Sequence, residues 1–253
     1  MSIRDRRDKV MEALKINKRV FADELAKDLD VSPVTIRRDL KRLADMSIVT
    51  IVTGGAVLNE GTTALPNIRA RSQKMMQEKN KIAAFCADLI KEGNAVYLDA
   101  GTTNMEIAEA IRSRKNIAVL THSLPAQNIL ADSEDIQLIS MPGVYCKIKK
   151  GFFGEMTCRM INRFQIDIAF IGLSAIDLKV GITSQDFQDQ SAKLAMIERA
   201  RKKIAIFDHT KIGQVMFTQV CPINAFDMIV TDKLADKNFI ERVKKFDVNV
   251  VQV

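Results

Sequence analysis

Apolar residues recur every third or fourth position through three short stretches near the start of the chain, Arg4 to Ile16, Ala22 to Leu29 and Pro33 to Asp45. That spacing predicts three amphipathic helices. Asp30-Val31-Ser32 separates the second from the third, about the length of the turn in a helix-turn-helix. Ser32 is placed to cap the third helix, and Pro33 at its first position has no amide hydrogen to leave unpaired. The pattern then changes period. The β-branched run Ile48 to Val52, the turn Thr53-Gly54-Gly55 and the run Ala56 to Leu58 predict a hairpin directly after the third helix, the position of a wing. From Asn59 to about Pro66 the chain is polar and aperiodic, a predicted linker, and a long helix is predicted from about Arg71 to Lys91.

Beyond Ala95, short apolar runs alternate with helical patterns: Ala95 to Leu98, Ile117 to Leu120, Ile136 to Ile139, Ile166 to Ile171, Ile204 to Phe207 and Met228 to Val230. Such alternation requires crossover connections and so a mostly parallel sheet covered on both faces. The expected architecture is a small winged helix-turn-helix domain over residues 1–58, a linker and the start of a connecting helix over 59–80, and an α/β domain with a mostly parallel sheet over 81–253.

Composition narrows the function. The chain of 253 residues is 47% hydrophobic, sufficient for a substantial core, and no apolar run approaches the roughly 18 residues needed to span a bilayer. A cytoplasmic protein with no membrane partner is the default expectation. The four cysteines lack C-x-x-C spacing and only two histidines are present, a pattern that argues against structural zinc or disulfides, and no cofactor is expected. The net charge of +7 favours nucleic acid or anionic ligands, with a mild bias to the N-terminus: residues 1–58 hold 12 Lys and Arg against 9 Asp and Glu.

On the third helix Ile36, Leu40 and Leu43 define the face that packs on Leu25, Leu29 and Val31. The opposite face offers Thr35, Arg37, Arg38, Lys41 and Arg42, with Ser32, Pro33 and Val34 at the helix start. A helix of this kind fits the major groove of double-stranded DNA, where arginine bonds bidentately to guanine. A basic run taken alone is more often a solvated surface, but the Ser-Pro cap, the short turn and the following hairpin favour DNA. Asp39 sits poorly against phosphate and is expected to hold a neighbouring arginine.

In the second domain Asp99-Ala100-Gly101-Thr102-Thr103 follows a strand and opens a helix. Parallel sheets bind ligands there, outside the carboxyl end of a strand and on the N-terminus of the next helix. Gly101 lets the backbone approach, free amides and the hydroxyls of Thr102 and Thr103 suit a phosphate, and Asp99 suits sugar hydroxyls. An ordinary helix cap is the alternative.

The run Ser32-Pro33-Val34-Thr35-Ile36-Arg37-Arg38-Asp39-Leu40, followed by Gly54-Gly55-Ala56, closely resembles the DNA-binding domain of DeoR-type sugar-metabolism regulators, and the likeness continues through nearly the whole chain. In that family the second domain is similar to ribose-5-phosphate isomerase. The resemblance implies a repressor of a sugar or polyol transport or catabolism operon, with operator affinity set by a phosphorylated sugar. It implies a homodimer or higher oligomer, and pocket positions at His122, Ser123, Gly143, Lys147, Gly172, Asp177, Lys193, Asp208 and Lys211. Lys193 and Lys211 would balance a phosphate, though either is equally a solvated charge.

Several positions depart from the family pattern. Ser47 stands where glycine is usual, and Ile51 and Thr53 stand where basic residues or histidine are usual. This apolar wing implies weaker DNA binding or a wing used for packing. His122 replaces asparagine and is either a sugar contact or a packed imidazole, and Val144 replaces a second glycine. Two other functions stay open: an isomerase fused to a DNA-binding head, with Asp99, Asp177 and Lys193 as its chemistry, and an architectural protein whose second domain only oligomerises.

Overall fold

The structure is a computed structural model of the chain and describes residues 3–45, 48–58 and 68–253. It divides into two compact units, Met1–Ala70 and Arg71–Val253. The proposed linker from Asn59 to Pro66 and the departure at Ser47 lie outside the described residues.

The first unit runs α1 (Ile3–Asn17), β1 (Arg19–Phe21), α2 (Ala22–Asp28), α3 (Pro33–Asp45), β2 (Val49–Val52) and β3 (Gly55–Leu58). Ile36, Leu40 and Leu43 of α3 are buried with Val10 and Leu14 of α1 and Leu25 of α2, so the apolar spacing read from the sequence is the packing face. Ser32 Oγ accepts the Thr35 amide at 3.2 Å, a cap contributing about 1 kcal/mol. β1 is a strand that periodicity did not indicate. It pairs antiparallel with β3, and β3 pairs with β2. The close pairing of β1 explains Gly55, because a Cβ there would lie 1.9 Å from the Val20 carbonyl oxygen. Gly54, at φ +79°, makes the wing turn in a conformation that favours glycine.

In chain order the second part contains α4 (Ile68–Gln73), α5 (Met76–Asp88), β4 (Ala95–Leu98), α6 (Thr102–Ile111), β5 (Ile117–Thr121), α7 (Leu124–Leu130) and β6 (Ile136–Ser140). A hairpin of β7 (Val144–Cys146) and β8 (Gly151–Phe153) leads to α8 (Glu155–Ile161), β9 (Ile166–Gly172), β10 (Ala175–Asp177) and β11 (Gly181–Ser184). The chain ends with α9 (Phe187–Arg199), β12 (Ala200–Ile206), β13 (Thr218–Cys221), β14 (Met228–Thr231), α10 (Lys237–Lys244) and β15 (Asn249–Gln252). The continuous helix expected from Arg71 to Lys91 is instead two helices ending at Asp88. Met75 breaks it with φ 53°, and Lys79 Nζ takes the exposed carbonyls of Arg71 and Lys74.

Seven strands form one parallel sheet in the order β15-β14-β12-β9-β4-β5-β6. Alternate residues enter opposite cores. Val96, Leu98, Ile168 and Phe170 pack with α5, α6 and α7, whereas Tyr97, Ala169 and Ile171 pack with α8, α9 and α10. Two buried faces explain why these strands read as unbroken apolar runs. From β4 the chain steps outward through β5 and β6. It then returns to lay β9 on the other side of β4 and steps outward through β12, β14 and β15. The order therefore reverses between β4 and β9, and the carboxyl ends of such a pair are where open α/β sheets bind ligands. No helix among the described residues is long and apolar enough to cross a membrane.

Candidate functional site

The solvent face of α3 carries Arg37, Arg38, Lys41 and Arg42, all exposed, with Ser32, Pro33 and Val34 exposed at its start and Thr35 partly covered. Arg37 Nη2 meets Asp23 at 3.1 Å, but both side chains are more than 60% exposed. Such a pair contributes under about 1 kcal/mol and yields readily to a phosphate. Asp39 lies on the buried side and binds two arginines of α1, Arg6 Nε at 2.6 Å and Arg7 Nε at 3.1 Å. Burial alone would raise its pKa; the hydrogen bonds and charges of the two guanidinium groups outweigh that and hold it below the ordinary carboxylate value. Asp39 thus fixes α1 against α3 and leaves the outer face uniformly cationic. On the wing Ile51 is 51% exposed and Thr53 is exposed, so the surface there is apolar and uncharged.

In the second unit Asp99 follows β4 at the reversal point and is completely buried. It accepts the Ala100 amide at 2.7 Å, the Gly172 amide at 3.0 Å across from β9, and Lys193 Nζ from α9. Lys193 also lies 3.6 Å from Asp189, one helical turn earlier. Burial opposes the charge of Lys193, but Asp189 and Asp99 outweigh it and raise its pKa above the ordinary lysine value. Burial likewise works against Asp189, yet Lys193, Lys149 and the Ser184 hydroxyl keep it ionised, with its pKa lowered. Lys149 is buried too, 2.6 Å from Asp186, 3.5 Å from Asp189 and over the Phe153 ring. Opposed charges removed from water in this way stay ionised only because each is paired.

His122 is fully buried. Its Nδ1 shares a hydrogen bond with the Tyr97 hydroxyl at 2.9 Å, and its Nε2 stands 3.4 Å from Asp99 Oδ1 without closing one. Burial pushes its pKa down to about 4, so the ring is neutral near pH 7. Thr102 and Thr103 open α6 behind Gly101, where an added Cβ would meet only Asn104 Nδ2, at 3.9 Å. The backbone there is open to a close-approaching anion. Arg71 also bears on this cluster. Its Nε is buried without a partner among the described residues, burial lowers its pKa, and Asp189 and Asp99 act on its charge.

Other sequence-derived positions have different surroundings. Ser123 caps α7 through the Ala126 amide, and Gly143 leaves no room for a Cβ, which would come within 2.3 Å of Thr157 Oγ1. Lys147 has its side chain exposed in the β7–β8 turn. The register of that hairpin turns Lys149 inward instead. Asp177 is the last residue of β10. It accepts the Lys179 and Val180 amides at 2.8 and 3.0 Å and serves its own turn rather than joining Asp99 and Lys193. Asp208 is buried, binds the Thr210 amide and hydroxyl, and stands 4.0 Å from Lys211. Burial lowers the pKa of Lys211. Sequence reasoning passed over Asn104, Lys149, Asp189 and Arg71. Only Asp189 carried a signal, its four-residue spacing from Lys193 on one helix.

Comparison with known proteins gives two family matches: residues 6–62 match the DeoR-like helix-turn-helix domain, and residues 74–233 match the DeoR C-terminal sensor domain. The chain is 29% identical over 242 residues to the HTH-type transcriptional repressor GlcR of Bacillus subtilis (strain 168), covering 96% of this chain and 93% of that one. It is 31% identical over 227 residues to the glycerol-3-phosphate regulon repressor of Escherichia coli (strain K12), covering 90% of each. It is 27% identical over 251 residues to the putative aga operon transcriptional repressor of Escherichia coli O157:H7, covering 98% and 93%. Among solved structures, ribose 5-phosphate isomerase A of Methanocaldococcus jannaschii aligns over 53% of each chain with 16% identity and a TM-score of 0.39.

Proposed function

We propose, from the premise that the chain belongs to the DeoR family of DNA-binding transcriptional regulators, that it represses a sugar or polyol transport or catabolism operon and that a phosphorylated sugar or polyol controls its grip on the operator. The observation that carries the ligand half of this proposal is the reversal of strand order at the carboxyl ends of β4 and β9. An open helix N-terminus, two threonines and Arg71 Nε, unpartnered among the described residues, suit a phosphate there, and the buried Asp99 suits hydroxyls. Lys193 and Lys149 are spent on carboxylates and set the charge of the surroundings. Relatives named repressors of a glycerol-3-phosphate regulon and of an aga operon support the same class of ligand.

DNA is read by α3, with Arg37, Arg38, Lys41 and Arg42 supplying the contacts and Ser32, Pro33 and Thr35 lying against the backbone. Two such heads, joined as a homodimer, would address half-sites one or several helical turns apart. A ligand alters DNA affinity only by binding one arrangement of the assembly better than another, and a 100-fold effect requires about 2.7 kcal/mol of coupling.

The test is an anisotropy titration of the full chain against the DNA flanking its own coding sequence, with and without a panel of phosphorylated hexoses, pentoses and polyols. One panel member should shift the midpoint at least tenfold. Binding that is insensitive to the whole panel would reject the sensor role, and no binding to that DNA above a scrambled duplex would reject local repression.

A further inference from the structure

Beside Asp99 lie buried polar atoms with no partner among the described residues: both carboxamide atoms of Asn104 and Nε2 of His122. Asn104 is fully buried in the first turn of α6. By contrast the buried Thr121 and Ser184 hydroxyls and the Lys149 ammonium are bonded. An amide hidden from water and left bare is costly, and folded proteins retain few.

The surroundings of Asn104 specify what would complete it. A Cβ added to Gly172 would lie 3.4 Å from Asn104 Nδ2 and 3.7 Å from Asp99 Oδ2. The missing side chain therefore leaves an atom-sized notch with an amide donor on one side and a carboxylate on the other. Asp99 uses three acceptor sites, on the amides of Ala100 and Gly172 and on Lys193, of the roughly four a carboxylate offers. A phosphate oxygen is repelled from this notch by Asp99, and a carbonyl satisfies the amide but gives the carboxylate nothing. A hydroxyl suits both, accepting from Nδ2 and turning its hydrogen to the carboxylate, whose one open acceptor position is on Oδ1 because the Gly172 amide and Lys193 already occupy Oδ2.

The geometry points to Asn104 as a specificity-determining residue that, together with Asp99, reads one hydroxyl of a phosphorylated sugar or polyol in the Gly172 notch. This rests on the sensor role proposed above. His122 is a positioning residue in the scheme, its ring held by Tyr97 and its Nε2 turned toward Oδ1 of Asp99. A ligand lacking that hydroxyl would leave the buried pair unmatched, the circumstance in which polar sites discriminate most strongly.

Isothermal titration of the full chain with glycerol 3-phosphate, ribose 5-phosphate, glucose 6-phosphate and inorganic phosphate tests this. At least one organic phosphate should bind the unaltered protein tenfold or more tighter than inorganic phosphate. Asn104→Ala should bring the two within about threefold while leaving inorganic phosphate unchanged, without lowering the melting temperature of the free protein. Gly172→Ala, which fills the notch with a methyl group, should do the same. A preference that survives in Asn104→Ala, or equal losses for organic and inorganic phosphate, overturns the assignment. If the unaltered protein prefers none of the three and its DNA binding also ignores the whole panel above, the sensor role fails first, and this inference falls with it.

Discussion

Replacing Asp39 by alanine should be the most damaging single change in the first unit. Arg6 has only 9% of its side chain exposed, so losing its carboxylate strands a guanidinium that water barely reaches. Removing one partner of a buried pair costs about 3–5 kcal/mol. Arg7, with 31% of its side chain exposed, is rehydrated easily and adds under about 1 kcal/mol. Because Arg6 keeps 9% of its side chain exposed, the low end of that range, about 3 kcal/mol, is expected. A unit of this size holds roughly 3–9 kcal/mol in all. Hydrogen exchange read by mass spectrometry on the peptide spanning α3 measures the effect where it occurs: about 3 kcal/mol should speed exchange about 100-fold at pH 7. Asp39→Asn adds a pH signature. A carboxylate held below its ordinary value binds fewer protons folded than unfolded. Its contribution is therefore complete above about pH 4 and is lost as the pH falls through the lowered folded value. The gap between the unaltered protein and Asp39→Asn should be constant from pH 5 to 8 and close in stronger acid. Equal exchange rates at pH 7 would show that Arg6 needs no carboxylate, and the argument for Asp39 would fail.

Arg38→Ala should weaken operator binding about tenfold or more while leaving exchange protection in α3 intact; unchanged affinity would remove Arg38 from the interface. Ile51→Lys should restore a wing contact to phosphate and steepen the slope of log affinity against log salt by about 0.9 per head, and a slope that does not move would mean that the wing stands off the duplex. Lys193→Met should leave Asp99 and Asp189 short of a cation and lower the stability of the second unit by about 3–5 kcal/mol in thermal melts. A melt within about 1 kcal/mol of the unaltered protein would mean that Lys149 alone can balance both carboxylates.

The sequence was most legible where local chemistry and packing agree. The Ser32-Pro33 start and the Ile36, Leu40 and Leu43 spacing place α3 correctly because cap and core face are written into the same thirteen residues. The six apolar runs are all strands of the large sheet, since burial on both faces leaves no polar alternation to obscure them. Asp99 was legible for a topological reason, following a strand and preceding a helix. β1 was not, because three residues show no period and their strand character comes from β3, more than thirty residues away. The break at Met75 was hidden because a left-handed methionine contradicts its own preference and is held by a lysine beyond it. Which lysine of the β7–β8 turn faces inward depends on hairpin register, which Lys147 and Lys149 do not reveal. Asn104 was hidden for the opposite reason: it is conspicuous for the bonds it does not make.

β15 supplies β14 with its outer neighbour over four residue pairs, Met228 with Asn249 through Thr231 with Gln252. The four residues of β15 therefore act as a selvedge. Trimming them would bare the amides and carbonyls along one flank of β14, whose side chains are buried throughout, and a row of that kind recruits any extended peptide, including a sister chain. Solubility of the whole sensor would then hinge on an edge strand separated from β9 by β14 and β12, so a shortened chain that clumps would say nothing about ligand or DNA.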